Sequence, residues 1–136
     1  CWPFIKQCHF FKLSDEEAML ITGCDTVEHA AAALRKKSKA IFAITLGKEG
    51  TLLSIEDHLE LIESIAITPV DATGAGDAFV GAVLFQLIDF NPAQLASIGI
   101  ADWKRIISNA NKAGARTCEY MGAMEAFKHL NNTIFN

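Results

Sequence analysis

The sequence predicts an α/β fold in which a parallel sheet is flanked by helices. Two apolar runs, residues 9–13 and 41–46, have the length and composition of buried parallel strands. The segment between them carries start and stop signals for two helices. Strand, helix, helix, strand is the order that builds a parallel sheet with helices on its faces.

The first of these helices is marked at both ends. Ser14 begins a capping box with Glu17, and Gly23 stops the helix. Thr26 caps the second helix, which ends in the cations of residues 35–37, where they face the negative end of the helix dipole. The local signals therefore predict both helices and their boundaries.

The remainder of the chain reads as a hairpin followed by helices. A turn at residues 47–50 leads into predicted strands at 51–55 and 58–62, and the chain stays extended over 64–68. Helices are predicted for four later segments: 75–88, 92–98, 101–118 and 123–131.

Composition limits the class of protein. The 136 residues fit one domain, with 51% hydrophobic and 21% charged residues and a net charge of −4. This charge argues against a nucleic-acid partner, and no apolar run reaches the roughly 18 residues of a membrane span. Without a secretory signal pattern, a cytoplasmic protein is expected. The four cysteines form no CxxC pair and are expected to be reduced and mostly buried.

The most informative stretch is residues 70–82, which read Val-Asp-Ala-Thr-Gly-Ala-Gly-Asp-Ala-Phe-Val-Gly-Ala. Glycines at a helix start let the backbone approach a ligand, and the free N–H groups there favour an anion. Asp77 falls in the first helical turn, where its carboxylate could take a proton from a nucleophile that attacks a bound phosphorus.

Other phosphate-binding loops fit this stretch poorly. A Walker A loop needs a lysine after its glycines, and none follows here. A dinucleotide-binding turn needs a third glycine where Phe79 stands and an acid about 20 residues later, a spacing that Asp89 and Asp102 do not match. From spacing alone, a tight turn with Asp77 as a helix-stabilising acid stays open.

Residues Asp71 to Ala82 resemble, nearly residue for residue, the D-x-T-G-A-G-D-x-F-x-G-A signature of the ribokinase-like, or pfkB, carbohydrate kinases. The resemblance implies that family's three-layer, Rossmann-like α/β fold and transfer of the γ-phosphate of ATP to a sugar hydroxyl. It implies Asp77 as the general base. It also implies an anion hole for the transferred phosphoryl group, formed by Gly74, Ala75 and Gly76.

Two segments before this signature are similar to nucleotide-side elements of the family. Thr45, Gly47 and Gly50 fit its T-x-G-x-x-G segment, which implies contacts with the nucleotide. Residues 12–17 resemble its N-x-x-E element, with serine in place of the usual asparagine. This implies Glu17 near Mg²⁺, with Lys12 and Ser14 beside the nucleotide, although the capping box alone would also explain Ser14 and Glu17.

Two segments after the signature continue the resemblance. Residues 108–115 are similar to the A-N-A-A-G-A helix, which implies that Asn111 and Gly114 lie by the adenine. An exposed helix asparagine is the open alternative at position 111. In many family members the counterparts of Asp71, Thr73 and the loop at Gly122 enclose a monovalent cation such as K⁺. Here Glu119 stands where threonine is common.

The resemblance covers nearly the whole chain and implies the C-terminal, nucleotide-binding and catalytic part of a sugar kinase domain over residues 1–136. The N-terminal sugar-binding half and its lid would be absent. The segments at Trp2-Pro3, residues 12–14 and residues 122–124 look like the fructokinase branch, so fructose is the expected acceptor. Ribose, 2-keto-3-deoxygluconate or a nucleoside stays open as acceptor, as does a non-catalytic nucleotide-binding remnant. A homodimer is also considered.

Overall fold

The computed structural model describes residues 1–129 and 133. The chain divides into two compact units, Cys1–Ile62 and Glu63–Asn136. Within the described residues, the first unit contains the sheet and three α-helices, and the second contains four α-helices.

A four-stranded sheet organises the first unit, with its strands in the order β1-β2-β3-β4. The strands β1 (Phe10–Ser14) and β2 (Ile41–Thr45) run parallel, as predicted. The next strand, β3 (Gly50–Ile55), pairs antiparallel with β2, so the sheet is mixed rather than wholly parallel. A two-residue turn then leads to β4 (His58–Glu63), and the predicted hairpin is confirmed. At this turn Glu56 adopts a φ of 49°, the left-handed backbone that such short turns require.

Helices α2 (Asp15–Thr22) and α3 (Val27–Lys37) form the crossover between β1 and β2. The capping box of α2 is confirmed, because the Glu17 N–H donates to Ser14 Oγ at 3.1 Å and the Ser14 N–H donates to Glu17 Oε2 at 2.7 Å. The Thr26 side chain caps α3 as predicted. One short helix, α1 (Trp2–Ile5), was not predicted.

The core of the first unit lies between the sheet and its helices. The buried apolar side chains include Ile5, Leu13, Leu34, Phe42 and Ile44. Successive residues of a strand face opposite sides of a sheet, so Phe42 and Ile44, two positions apart, lie on the same face of β2. Burial of these side chains supplies the main driving force that holds the parallel strand pair and its crossover together.

The second unit is built from α4 (Ala75–Leu87), α5 (Pro92–Ser97), α6 (Ile100–Thr117) and α7 (Ala123–His129). The longest two, α4 and α6, pack against each other. All four predicted helices are confirmed within one or two residues, except that the predicted end of the last helix, residues 130–131, lies outside the described residues. The predicted extended segment 64–68 contains no strand.

Three further observations complete the description. The four cysteines are free thiols, but none is fully buried, because Cys1 is exposed and the other three are half-buried. The expectation of mostly buried thiols was therefore wrong. Within the part of the chain that the structure describes, no helix combines the length and hydrophobicity that crossing a membrane requires.

Candidate active site

The glycine-rich turn ends at the start of α4, where the helix has no side-chain cap. Gly74 is the N-cap residue and has a φ of 82°, a left-handed conformation that glycine adopts without steric cost. The Ala75 N–H closes a turn onto the Ala72 carbonyl oxygen at 3.1 Å. Among the described residues, the N–H groups of Gly76 and Asp77 have no hydrogen-bond partner, and both residues are exposed. Two free N–H groups at a helix start favour an anion.

Asp77 contributes a carboxylate to the same turn. The residue is exposed and occupies the first turn of α4. No hydrogen bond or ion pair within the described part of the chain engages its side chain. The carboxylate is therefore free to accept a proton from a group held beside the helix start.

Asp71 connects the glycine-rich turn to the loop that follows α6. Its Oδ1 accepts hydrogen bonds from the Thr73 N–H at 2.9 Å and the Thr73 hydroxyl at 2.7 Å. Its Oδ2 accepts a hydrogen bond from the Gly122 N–H at 2.9 Å. The Thr73 hydroxyl, followed by the two N–H groups, lowers the pKa of Asp71, because each bond favours the ionised carboxylate.

The end of α6 holds the same turn through its backbone. The Cys118 carbonyl oxygen accepts from the Val70 N–H at 2.7 Å and from the Asp71 N–H at 3.1 Å. Burial raises the pKa of the Cys118 thiol, and the Asp71 charge raises it further. Sequence reasoning missed this backbone anchor, because any residue offers a carbonyl group and the pattern therefore carries no signal.

Gly114 marks the closest approach between α6 and the start of α4. A Cβ atom at this position would lie 3.2 Å from the Ala75 carbonyl oxygen and 3.9 Å from Phe79 Cβ. The absence of a Cβ atom at Gly114 thus lets α6 pack directly behind the first turn of α4. The predicted contact of Gly114 with a nucleotide stays a prediction, and its observed role is this helix contact.

Asn111 is buried, with 6% of its surface exposed, so the alternative of an exposed helix asparagine is wrong. Its Nδ2 donates to the Glu63 carbonyl oxygen at 3.4 Å.

Glu119, which stands where threonine is common in the family, forms an ion pair with Arg116, whose Nη1 lies 3.0 Å from both carboxylate oxygens. The i,i+3 spacing of Arg116 and Glu119 is a sequence signal for such an ion pair, which was not predicted.

In the first unit, some of the residues that were predicted to lie beside the nucleotide come together at one edge of the sheet. Ser14 and Thr45 are register partners at the carboxyl ends of the parallel strands, the edge at which open α/β sheets bind ligands. The Thr45 hydroxyl donates to the Leu13 carbonyl oxygen at 3.2 Å. Lys12 lies two positions earlier on β1 and is half-buried, and Glu17 is held by its capping box.

A short 3-10 turn follows β2 and begins at Gly47, with a φ of 58°. It ends at Gly50, whose φ of 122° lies outside the range that other residues favour. The two predicted glycines therefore shape the turn between β2 and β3. Their predicted contact with a nucleotide stays a prediction.

Comparison with known proteins gives a consistent set of relatives. The chain matches the pfkB family carbohydrate kinase model over residues 4–130. Fructokinase-1 from Oryza sativa is 34% identical over 122 residues, which cover 87% of this chain and 36% of that protein.

Two solved structures share the fold. Aminoimidazole riboside kinase from Salmonella enterica, complexed with aminoimidazole riboside and an ATP analog, matches with a TM-score of 0.82 and 32% identity, over 92% of this chain and 40% of that chain. A double mutant of fructokinase from Vibrio cholerae, bound to fructose, ADP and a potassium ion, matches with a TM-score of 0.78 and 28% identity. This match covers 98% of this chain and 41% of that chain.

These matches establish a ribokinase-like α/β fold, and they also show how much of a relative this chain represents. The chain spans about a third of the length of the curated relatives it matches. The range matched by the family model includes the sheet, the glycine-rich turn and the helices α4 to α6. The chain belongs to the pfkB family of carbohydrate kinases.

Proposed function

We propose that residues 1–136 are the C-terminal, nucleotide-binding and catalytic part of an ATP-dependent sugar kinase. The observation that carries this proposal is the start of α4, where two free N–H groups adjoin the unpaired carboxylate of Asp77. Phosphoryl transfer needs donors that stabilise the charge on the transferring group and a base for the attacking hydroxyl. Family membership supports this reading of the site.

Each part of the turn has a role in the proposed reaction. Gly74, Ala75 and Gly76 form the anion hole, in which the free N–H groups of Gly76 and of the adjoining Asp77 stabilise the negative oxygens of the γ-phosphoryl group, while the Ala75 N–H holds the turn through the Ala72 carbonyl oxygen. Asp77 accepts the proton of the sugar hydroxyl while the oxygen of that hydroxyl bonds to the γ-phosphorus. The bond from that phosphorus to the bridging oxygen of ADP breaks, so that the products are ADP and a sugar phosphate.

We assign nucleotide contacts to two groups of residues, each described within its own unit. Thr45, Gly47 and Gly50 form one group, supported by the position of Thr45 at the carboxyl edge of the parallel strands. Asn111 and Gly114 form the other, supported by the burial of Asn111 on the helix that packs behind the anion hole. An asparagine amide carries donor and acceptor groups of the kind that recognise a purine edge, and one donor of Asn111 is used by the Glu63 carbonyl oxygen.

Magnesium would be held mainly by the nucleotide phosphates in this proposal. No cluster of three or more candidate metal-ligating side chains occurs among the described residues. One carboxylate and several waters are an ordinary ligand set for phosphate-bound Mg²⁺. Glu17 fits that part, because only its Oε2 is used by the capping box. Lys12 and Ser14 would neighbour the phosphates, and the bound ion would neutralise part of their charge.

We assign Asp71, Thr73 and the Gly122 loop to a monovalent cation site. The potassium ion in the fructokinase from Vibrio cholerae supports K⁺ as its occupant. Three donors already bond to the Asp71 carboxylate, which leaves about one of its roughly four acceptor positions for a cation. Most of the remaining ligands would then be backbone carbonyl oxygens or water.

Fructose is the first candidate acceptor, because the curated relatives at 32–34% identity include fructokinases from plants and bacteria. The similarity to aminoimidazole riboside kinase makes a riboside the second candidate. A cytoplasmic enzyme that assembles as a homodimer is also part of the proposal. The chain alone is expected to show no sugar-dependent turnover, because Asp77 needs an acceptor hydroxyl held about 3 Å away.

An NMR titration of the chain tests the proposed phosphate site. ATP should shift the amide signals of Gly76 and Asp77, because its γ-phosphate would occupy the free N–H groups. Adenosine is the matched control, since it carries the same base and ribose without phosphate. Equal shifts with adenosine and ATP, or no shift at these two amides, would contradict the phosphate site.

Kinase activity needs a separate test, in a chimera in which this chain replaces the matched segment of the Oryza sativa fructokinase-1. ADP release should depend on fructose, because the Oryza sativa part would supply the sugar-binding half. A folded chimera that binds ADP but does not phosphorylate fructose would favour the non-catalytic remnant.

A further inference from the structure

Three side-chain hydrogen bonds meet at Gln86, near the C-terminal end of α4, and two of them join α4 to α6. Gln86 Nε2 donates to the Ala82 carbonyl oxygen at 3.0 Å and to the Ile106 carbonyl oxygen at 3.1 Å. Gln86 Oε1 accepts a hydrogen bond from Asn109 Nδ2 at 2.8 Å. We call Gln86 and Asn109, with these three bonds, the amide bridge.

The partners fix the orientation of the Gln86 amide. A backbone carbonyl oxygen can only accept a hydrogen bond, so the group that faces Ala82 and Ile106 must be the amide nitrogen. The oxygen of the same amide then faces Asn109, which supplies the donor that this oxygen needs. Asn109 is buried, with 7% of its surface exposed, so the loss of its partner would leave a buried donor unpaired. The bridge therefore has a single arrangement that satisfies the Gln86 amide.

The amide bridge adds direction to a helix contact that is otherwise apolar on the α4 side. The buried residues of α4 all have apolar side chains: Ala78, Phe79, Ala82 and Val83. Burial of apolar surface is non-directional, so it holds α4 against α6 without strongly favouring one position along the helix axis. Hydrogen bonds weaken steeply when their angles depart from the preferred range. The bonds of Gln86 thus define where α4 lies along α6.

The position of Gln86 determines where the candidate site lies at the other end of the same helix. From Ala75 to Gln86 the axis of α4 rises about 16 Å, at 1.5 Å per residue. A helix is stiff along its axis, because backbone hydrogen bonds hold each turn to the next. A shift of Gln86 along α6 would therefore carry the free N–H groups of Gly76 and Asp77 by a similar distance.

The glycine-rich turn before α4 is attached to the same partner helix. The Cys118 carbonyl oxygen, just after α6, accepts from the N–H groups of Val70 and Asp71. The Gly122 N–H also bonds to the Asp71 carboxylate. One end of α6 thus holds the turn, and its middle holds Gln86. The anion hole lies between these two attachments in the sequence, so both of them determine its position.

We propose that Gln86 is a positioning residue, which together with Asn109 sets the place of α4 along α6. Through the helix it places the anion hole and the Asp77 carboxylate relative to the turn held by Asp71. This role rests on the proposed function and deepens it. A displacement of about 1 Å at reacting groups can cost roughly 10²-fold in rate, so a side chain remote from the chemistry can control kcat.

One measurement concerns the helix position alone. Gln86→Met keeps a side chain of similar length and removes all three bonds. The Ala82 and Ile106 carbonyl oxygens keep their bonds within the helices, so both helices should still form, as circular dichroism can verify. In the wild-type chain the Gly114 Hα protons should show a nuclear Overhauser effect with Phe79 Hβ, because a Cβ at Gly114 would lie 3.9 Å from Phe79 Cβ. Gln86→Met should weaken or abolish this effect.

A second measurement concerns catalysis, in the chimera with Oryza sativa fructokinase-1. Gln86→Met should lower kcat per ADP-binding site by roughly 10-fold or more, because the start of α4 moves. The KM for fructose should stay nearly unchanged, since the Oryza sativa part would hold the sugar. Counting sites by ADP binding removes the contribution of unfolded protein.

Asn91→Ala is the matched control for a loss of stability. The Asn91 side chain caps α5 through the Gln94 N–H, so its removal destabilises the same unit without touching the amide bridge. Its kcat per ADP-binding site should equal that of wild type. An equal loss of kcat in Asn91→Ala and Gln86→Met would assign the effect to stability and overturn the positioning role.

Asn109 provides a second, milder variant. Asn109→Ala removes only the bond to Gln86 Oε1, so it should lower kcat per site less than Gln86→Met does. In the double variant the change at Asn109 should add nothing further, because residues that act through one shared bond are not additive. Losses that multiply in the double variant would contradict a bridge in which Asn109 acts through Gln86.

Two further results would overturn the proposal. One is a folded Gln86→Met chain in which the Overhauser effect between Gly114 and Phe79 keeps its wild-type strength. The other is a Gln86→Met chimera with the wild-type kcat per site. If the wild-type chimera itself fails to phosphorylate fructose, the proposed function fails, and the Overhauser comparison alone decides whether the amide bridge sets the helix position.

Discussion

The backbone N–H of Gly122 donates a hydrogen bond of 2.9 Å to Oδ2 of Asp71, and this bond joins segments that lie 51 positions apart in the sequence. The other carboxylate oxygen of Asp71 holds Thr73, one residue before the start of the anion hole. A single carboxylate therefore fixes the glycine-rich turn and the loop after α6 relative to each other.

This arrangement predicts a pH-dependent contribution of Asp71 to stability. The pKa of Asp71 is lowered in the folded protein, chiefly by the Thr73 hydroxyl. Its stabilising effect should be fully present above its unfolded pKa of about 3.9 and should be lost as the pH falls through its lower folded pKa. We expect Asp71→Asn to reduce the free energy of unfolding at pH 6, with a difference from wild type that shrinks toward pH 2.

Asp102→Asn is the control for this prediction. Asp102 is an exposed carboxylate on α6 whose ion pair with Arg105 spans 3.4 Å. Exposed pairs of this kind contribute little to stability. Urea unfolding of the three proteins at several pH values gives the comparison, and an Asp71→Asn effect that stays constant down to pH 2 would contradict the assigned role of the carboxylate.

Two helix glycines should respond in opposite ways to alanine. Gly81→Ala should raise the free energy of unfolding of the chain by about 0.5–1 kcal/mol, because its Cβ meets open space and alanine favours the helix. Gly114→Ala should lower it by about 1 kcal/mol, because the Cβ would press at 3.2 Å on the Ala75 backbone. Denaturant unfolding measures both values, and equal stabilisation by the two variants would show that the α4–α6 contact is loose.

A larger side chain at Gly114 should also disturb the anion hole. Gly114→Leu would displace Ala75 and the N–H groups that follow it, so the affinity for ADP should fall. Gly81→Leu is the matched control, since the same side chain there meets open space. Unchanged ADP-induced amide shifts in a folded Gly114→Leu variant would place the nucleotide elsewhere.

The capping box of α2 allows the structural and the metal-linked roles of Glu17 to be separated. Ser14→Ala should cost about 1 kcal/mol of stability, because the Glu17 N–H loses its cap. Glu17→Gln keeps an acceptor for the Ser14 N–H and should cost less. If Glu17 also neighbours magnesium, Glu17→Gln should reduce the enhancement of ADP binding by Mg²⁺. An unchanged Mg²⁺ effect, measured by calorimetry, would restrict Glu17 to the capping box.

Local features of the fold could be predicted from sequence because their causes are local. The capping box at Ser14 and the stop at Gly23 each depend on residues within one helical turn. The glycine-rich turn was recognised from a contiguous motif. The helix α1 was missed because its four residues are too short to show a helical period, although Pro3 stands in its first turn.

Features that depend on distant contacts could not be predicted. The spacing of residues in the sequence does not reveal the hydrogen bond from the Gly122 N–H to Asp71. The sequence instead led us to expect a cation site at these residues. The sequence placed Gly114 by the adenine, and only the fold identifies Ala75 as its neighbour. The buried side of α4 could not be predicted either, because the sequence shows an apolar helix and not which of its sides is buried.

The most direct measurement is fructose-dependent ADP release by the chimera, compared between wild type and Asp77→Asn. If Asp77 is the general base beside the anion hole, kcat should fall by roughly 10² or more while the affinity for ADP stays nearly unchanged. The substitution preserves the shape of the side chain and the free N–H groups, so a loss of kcat alone isolates proton transfer. Turnover by the Asp77→Asn chimera at the wild-type rate would contradict the assignment of Asp77 as the catalytic base.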